Sequence, residues 1–136
     1  MGWACMACGV GTGLLLGLWS FDGPAAVPAW IGDYGDTSRR LVRLGHIAFI
    51  GIGVLNVLLG RELPRMRLEP PAKRLASYSM NFGNILLPLA LFAAGAWRPL
   101  KPLMAPPALA VFLALVVAAW GVRGGPTPDP HDAEDP

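Results

Sequence analysis

The stretch Leu44–Gly60 reads LGHIAFIGIGVLNVLLG and contains one histidine but no Asp, Glu, Lys or Arg. The same four residue types are missing from three further stretches, Met1–Phe21, Leu75–Trp97 and Pro102–Val122. A helix needs about 20 largely apolar residues to cross the hydrocarbon core of a bilayer, which is about 30 Å thick. All four stretches reach or nearly reach this length. The sequence therefore predicts an all-α integral membrane protein, a four-helix transmembrane bundle with both termini on the same side.

The composition is typical of a membrane chain rather than a soluble globular one. Of the 136 residues, 54% are hydrophobic and only 15% are charged. Apolar residues surround each predicted helix on all sides, as expected for a helix buried in lipid or in other protein. Segments of about ten alternating residues, which would indicate a membrane β-barrel, are not found. The formal net charge of +2 gives no reason to expect a nucleic-acid partner.

Glycine, proline and charged residues between the apolar stretches set the predicted helix boundaries. We expect helices at about residues 2–21, 40–61, 74–97 and 105–122. The first has no basic region before it and no cleavage site after it, so we expect a retained helix rather than a signal peptide. The transmembrane domain extends over residues 1–124. Residues 125–136 contain four prolines and four acidic residues and are expected to form a disordered tail.

The basic residues outside the apolar stretches give a small bias on orientation. Six lie at the end of the predicted bundle that carries both termini: Arg61, Arg65, Arg67, Lys73, Arg74 and Arg123. Five lie at the opposite end: Arg39, Arg40, Arg43, Arg98 and Lys101. Cytoplasmic loops carry an excess of Lys and Arg. We therefore expect cytoplasmic termini, in a bacterial inner membrane.

His46 is the only histidine inside the apolar stretches, and it is predicted to lie in the first two turns of the second helix. Burying an ionisable residue in a membrane costs a few kcal/mol, so such residues are candidates for function. A neutral imidazole could be the axial ligand of a haem iron or of a chlorophyll-type magnesium. The alternative is a structural residue that hydrogen-bonds a neighbouring helix. A bis-histidine haem is not expected, because the second histidine, His131, lies in the tail.

A polar stripe is predicted on the third helix. Ser77, Asn81, Asn84 and Pro88 follow at spacings that place them on one helical face. An antiparallel second helix would bring Asn56 to about the depth of Asn81 and Asn84. Amide side chains in hydrocarbon form interhelical hydrogen bonds worth about 0.6–2 kcal/mol. We therefore predict a helix-packing role for these polar residues; a polar substrate path is the alternative, but it would normally include an acid or base.

The sequence Cys5-Met6-Ala7-Cys8 places two thiols on one side of the first predicted helix. This spacing suits a soft metal ion or a redox dithiol, although two thiols do not complete a tetrahedral site. The other interpretation is a pair of small residues at a membrane interface. Within about the first 20 residues, the cysteine pair and the small residues after it resemble the first helix of the mercuric-ion transporter MerC. That resemblance implies a small thiol-dependent carrier of soft metal ions, with Cys5 and Cys8 as the ligands.

Glycines follow the cysteines at positions 9, 11, 13 and 17. Gly13 and Gly17 are separated by three residues, a spacing that lets two membrane helices approach closely. We therefore predict that Gly13 and Gly17 take part in helix packing. A flat pigment or a lipid lying against this surface is the alternative.

Two classes of function are compatible with these features. The first is a non-catalytic accessory subunit of a larger membrane complex, of the energy-transducing kind found in respiration or photosynthesis, which binds other membrane subunits and lipids. Such a chain could contact a haem, a pigment or a structural lipid through His46. The second is the MerC-like carrier that uses Cys5 and Cys8. A proton-coupled exporter of the small multidrug type is not expected, because the first helix has no acidic residue.

Overall fold

In the computed structural model, residues 1–20 and 23–123 are described, and they contain four α-helices and no strand. The helices are α1 (Gly2–Gly17), α2 (Thr37–Glu62), α3 (Pro70–Ala96) and α4 (Ala105–Arg123). Two 3-10 helices join them: Leu63–Arg65 follows α2, and Arg98–Met104 precedes α4. The prediction of an all-helical chain is confirmed for this part of the chain. The predicted tail, 125–136, lies outside the described residues.

Three of the helices are long and apolar enough to cross a membrane by length and composition, which indicates a membrane protein. With their adjoining 3-10 turns they cover Thr37–Arg65, Pro70–Ala96 and Arg98–Arg123. The first helix is different: α1 has 16 residues, or about 24 Å of helix, which is less than the thickness of the hydrocarbon core. The structure therefore gives three long apolar helices and one shorter apolar helix.

The prediction that the first helix continues to residue 21 is wrong, because α1 ends at Gly17. The following backbone N–H groups of Leu18, Trp19 and Ser20 bond to carbonyls three residues back, so the last turn tightens. The guanidinium group of Arg39, in α2, donates a hydrogen bond to the carbonyl oxygen of Trp19. A side chain from the next helix thus satisfies one of the carbonyls left free where the helix stops.

The second and third helices begin earlier than predicted, at Thr37 and Pro70. Asp36 precedes α2, and its carboxylate accepts a hydrogen bond of 2.8 Å from the backbone N–H of Asp33 rather than capping the helix. Pro70 and Pro71 occupy the first turn of α3, where a missing N–H costs nothing. These prolines, expected in a connector, therefore start the helix.

Tyr34, in the loop before α2, makes cation–π contacts with two arginines of that helix. The guanidinium carbons of Arg39 and Arg43 lie 5.3 Å and 4.7 Å from the centre of its ring. Such cation–π contacts are attractive and place the aromatic ring among basic residues at the end of the bundle.

Each helix packs mainly against the next helix in the chain, in antiparallel orientation. Glycines form the closest approaches. Gly2 lies against the backbone of Gly53 in α2, Gly45 against Phe92 and the Pro88 carbonyl in α3, and Gly83 against the Pro107 carbonyl in α4. Gly121, near the end of α4, lies against Leu68 in the connector between α2 and α3. The end of α4 is therefore next to that connector, whereas the start of α1 lies against Gly53 and Val57 within α2.

The apolar core is small and lies between α2, α3 and α4. Its buried members are Ile52, Leu59, Met66, Met80, Ala114 and Ala118. By contrast, many large apolar side chains are exposed, among them Leu14, Phe112 and Trp120. In the most apolar window of α4, only 11% of the residues are buried. Most of the apolar surface thus points outward, as expected for helices surrounded by lipid or by other subunits.

Candidate functional site

His46 lies in the third turn of α2 and is bonded to α1. Its Nδ1 atom is 2.7 Å from the carbonyl oxygen of Gly9. Because a carbonyl oxygen can only accept, Nδ1 must carry the proton. In the neutral ring, Nε2 is then left with a free lone pair. This is the tautomer found in metal-bound histidines whose second nitrogen donates to a backbone carbonyl.

Two residues of α1 fix the position of the imidazole ring. Thr12 Oγ1 donates to the same Gly9 carbonyl at 2.9 Å. Gly13 provides the space for the ring, because a β-carbon there would lie 3.0 Å from Nδ1 and 3.1 Å from Nε2. Since the two ring nitrogens lie on opposite sides of Cε1, Nε2 points away from Gly9. The ring is therefore held at Nδ1, and no side chain or backbone group of the described residues hydrogen-bonds to Nε2.

His46 is deeper in the helix than the sequence indicates. Because α2 begins at Thr37, the histidine lies nine residues, or roughly 14 Å, from the helix start. The side chain is half-buried, and its neighbours in sequence, Leu44 and Ile47, are more than half exposed.

The structure joins Asn56 in α2 and Asn81 in α3. Asn56 Nδ2 donates to Asn81 Oδ1 at 3.0 Å, between side chains that are partly buried. Both residues are in the set predicted to mediate packing. Ser77, in the same predicted stripe, is half-buried on α3. A side-chain hydrogen bond of this kind ties two helices together where the surrounding side chains are apolar.

A double-mutant cycle should measure this bond. Changing Asn56→Leu and Asn81→Leu, singly and together, should give a coupling energy of about 0.6–2 kcal/mol for unfolding in detergent. Asn56→Leu combined with Asn84→Leu is the control and should give a coupling near zero, because no hydrogen bond joins that pair. Equal coupling in both cycles would contradict a specific Asn56–Asn81 bond.

Asn84 has a different environment from Asn81, one turn away. It is fully buried, with an exposed fraction of 0%, and neither Nδ2 nor Oδ1 has a hydrogen-bond partner among the described residues. Cys5 of α1 is also buried, and its thiol lies near the Asn84 amide. Pro88, four residues on, has no N–H to donate to the Asn84 carbonyl. Polar groups thus concentrate at one buried point between helices.

The two cysteines are placed in different surroundings. Cys5 is buried and Cys8 is exposed, and both are free thiols. No group of three or more His, Cys, Asp or Glu side chains within residues 1–20 and 23–123 could hold a metal ion. The thiols therefore do not line one closed metal site within the described chain.

Gly13 and Gly17, the two glycines predicted to take part in helix packing, have different surroundings. Gly13 lies against His46, whereas a β-carbon at Gly17 would meet no atom within 4 Å. Gly11 is equally open. Of the predicted residues, the structure therefore brings His46 together with Gly13, and Asn56 with Asn81. The packing role of Gly17 stays a prediction for contacts with another molecule.

Two contributing residues were not predicted from the sequence. Thr12 shares the Gly9 carbonyl with His46, and Arg39 holds the end of α1. A threonine among small residues on a helix carries a weak signal, because its hydroxyl can simply bond to its own helix. The basic cluster at the start of α2 gives no indication of which arginine turns inward.

Comparison with known proteins gives no match to a family model, to a curated protein or to a solved structure. The likeness to MerC thus stays a resemblance of one short segment.

Proposed function

We propose that this chain is a non-catalytic accessory subunit of a larger membrane complex, and that His46 contacts a haem or chlorophyll-type pigment there. All four helices cross the membrane in this proposal, with α1 following α2 through its glycine contacts. The termini face the cytoplasm of a bacterial cell. An energy-transducing complex, respiratory or photosynthetic, is the proposed setting, by analogy with the small chains common in such assemblies.

The observation that carries the proposal is the apolar surface left uncovered by the chain itself. Only 11% of the residues in the most apolar window of α4 are buried, and Trp120 and Phe112 are 75% and 66% exposed. On α1, the open positions Gly11 and Gly17 would let another helix approach closely. The described helices thus present small-residue and apolar faces to neighbouring subunits. None of the described helices has an acidic residue in its interior that could couple transport to protons.

His46 supports the cofactor part of the proposal. Nδ1 donates a hydrogen bond to the Gly9 carbonyl oxygen, and the two atoms are 2.7 Å apart. This bond orients the ring and raises the electron density at Nε2. Nε2 is then able to donate its lone pair to an iron or magnesium. Axial ligation from one histidine is sufficient for a five-coordinate haem or a chlorophyll, so no second histidine is needed.

Isolation in mild detergent tests the subunit. A tagged full-length chain, expressed in its own host, should be recovered with larger membrane subunits and with visible absorption. Recovery as a single uncoloured species would overturn the proposal.

His46→Leu tests the cofactor contact separately. The variant complex should retain its subunits but lose or shift one absorption band, because the axial ligand is gone. His131→Leu is the matched control and should leave the spectrum unchanged, since it removes the other histidine of the chain. An unaltered spectrum in His46→Leu would refute ligation while leaving the subunit role intact.

A further inference from the structure

We propose that the groove between α3 and the start of α4 binds the acyl chain of an anionic phospholipid, whose phosphate is held by Arg98 and Lys101. This site is separate from His46, and it does not depend on the subunit proposal, because the isolated chain carries the whole groove.

The groove has the shape and surface of an acyl-chain site. It has a volume of about 390 Å³ and is lined by apolar side chains, including Phe82, Leu86 and Ala93 of α3 and Leu103 and Pro106 beyond it. From Phe82 to Ala93, the α3 side of the groove is about 17 Å long, at about 1.5 Å per residue. That length is close to half the hydrocarbon core, or one leaflet.

Two basic residues belong to the segment that contributes Leu103 to the groove. Arg98 and Lys101 are exposed in the 3-10 helix Arg98–Met104, which also supplies Leu103 to the groove. Residues three apart lie on the same side of a 3-10 helix, so the two cations are neighbours. Trp97 is next to them and 62% exposed, as is common for tryptophans at the level of lipid headgroups.

The helices that carry these two cations contain no acidic residue. The sequence contains no Asp or Glu from Pro70 to Arg123. Within residues 1–20 and 23–123, the one ion pair joins Arg65 to Glu62 at the other end of the bundle. Arg98 and Lys101 therefore attract an anion without competition from a carboxylate on their own helices. An apolar groove next in the chain to two exposed cations is complementary to an anionic phospholipid, which has a charged head and an apolar tail.

Lipid retention by the purified full-length chain tests this proposal. We would reconstitute the chain in nanodiscs of phosphatidylcholine with a small fraction of phosphatidylglycerol, extract it gently, and quantify both lipids by native mass spectrometry. The chain should retain phosphatidylglycerol preferentially. Arg98→Gln with Lys101→Gln should weaken that preference about 30-fold, from the loss of two cations near the membrane surface. Arg61→Gln with Arg74→Gln removes the same charge at the other end and should have little effect.

A second variant separates a lipid site from a simple anion site. Ala93→Trp fills the groove but leaves both cations in place, so it should abolish retention of phosphatidylglycerol. Millimolar inorganic phosphate should not displace the lipid, because phosphate cannot occupy the groove. Equal retention of the two lipids, full retention in Ala93→Trp, or displacement by phosphate would each overturn the proposal.

Discussion

Gly9→Leu should separate α1 from α2. A β-carbon at this position would lie 2.5 Å from Cγ1 of Ile50 and 3.2 Å from its backbone nitrogen. A leucine cannot be placed there unless the helices move apart, and overpacking of this kind costs typically about 1–3 kcal/mol. The same movement would break the hydrogen bond between His46 and the Gly9 carbonyl, adding about 1 kcal/mol. We expect the midpoint of thermal unfolding in detergent to fall by several degrees.

Gly11→Leu provides a matched control on the same helix. A side chain at Gly11 meets no atom of the described chain within 4 Å, so the same substitution should leave the unfolding midpoint nearly unchanged. Both changes add equal apolar volume and equal helix propensity, so any difference comes from the contact with α2. Equal unfolding midpoints for the two variants would contradict the packing of α1 on α2.

Asn84→Asp should strongly reduce the amount of folded protein. The side chain is fully buried, and the change replaces a neutral amide by a carboxylate that no basic group of the described chain accompanies. Placing an aspartate in the middle of a transmembrane helix costs about 3 kcal/mol on insertion scales. We therefore expect little folded protein at neutral pH. Acidification should return part of the yield, since protonation removes the charge.

Asn84→Leu distinguishes the cost of charge from the loss of a hydrogen bond. Neither atom of the Asn84 amide is bonded within the described residues, so leucine should leave stability unchanged or raise it. Size-exclusion profiles and thermal unfolding of the two variants, beside the parent chain, measure the difference. If Asn84→Leu lowered stability as much as Asn84→Asp, the amide would have to be bonded to something beyond these residues.

The sequence predicts the long helices well, because the features that indicate a helix, such as an uncharged apolar run, lie within the helix itself. Long runs without charge define α2, α3 and α4, and Pro106 and Pro107 lie in the first turn of α4, where proline is favoured. That Asn56 meets the polar stripe of α3 is also foreseeable, because an antiparallel second helix brings it to about the depth of Asn81 and Asn84. In the structure, a hydrogen bond of 3.0 Å joins the side-chain amides of Asn56 and Asn81.

Other features depend on residues far apart in the chain. The apolar run of α1 continues through Leu18 and Trp19, but the helix stops at Gly17, where Arg39 from α2 binds the Trp19 carbonyl. The bond from His46 to Gly9 joins residues 37 positions apart. Nothing in the local sequence indicates such partners, because the geometry that creates them comes from the packing of α1 on α2.

The same limit applies to the polar stripe on α3. Asn81 and Asn84 are equivalent by helical spacing, but one is hydrogen-bonded and the other is enclosed without a partner. Asn81 faces Asn56 of α2, whereas the Asn84 amide lies near the buried thiol of Cys5 in α1. Helical periodicity predicts which side chains share a face but not which neighbouring helix covers each of them.

The packing of each helix against its successor has a consequence for how the chain is made. Contacts between neighbours in sequence can form as soon as the second helix of a pair leaves the ribosome, and such local contacts favour fast folding. The hairpin of α1 and α2 can close through Gly9 and His46 before α3 has been synthesised. Insertion of the described helices can therefore proceed pair by pair in chain order, and α4, the least covered of the three long helices, joins after α3 with most of its apolar surface still open to a partner.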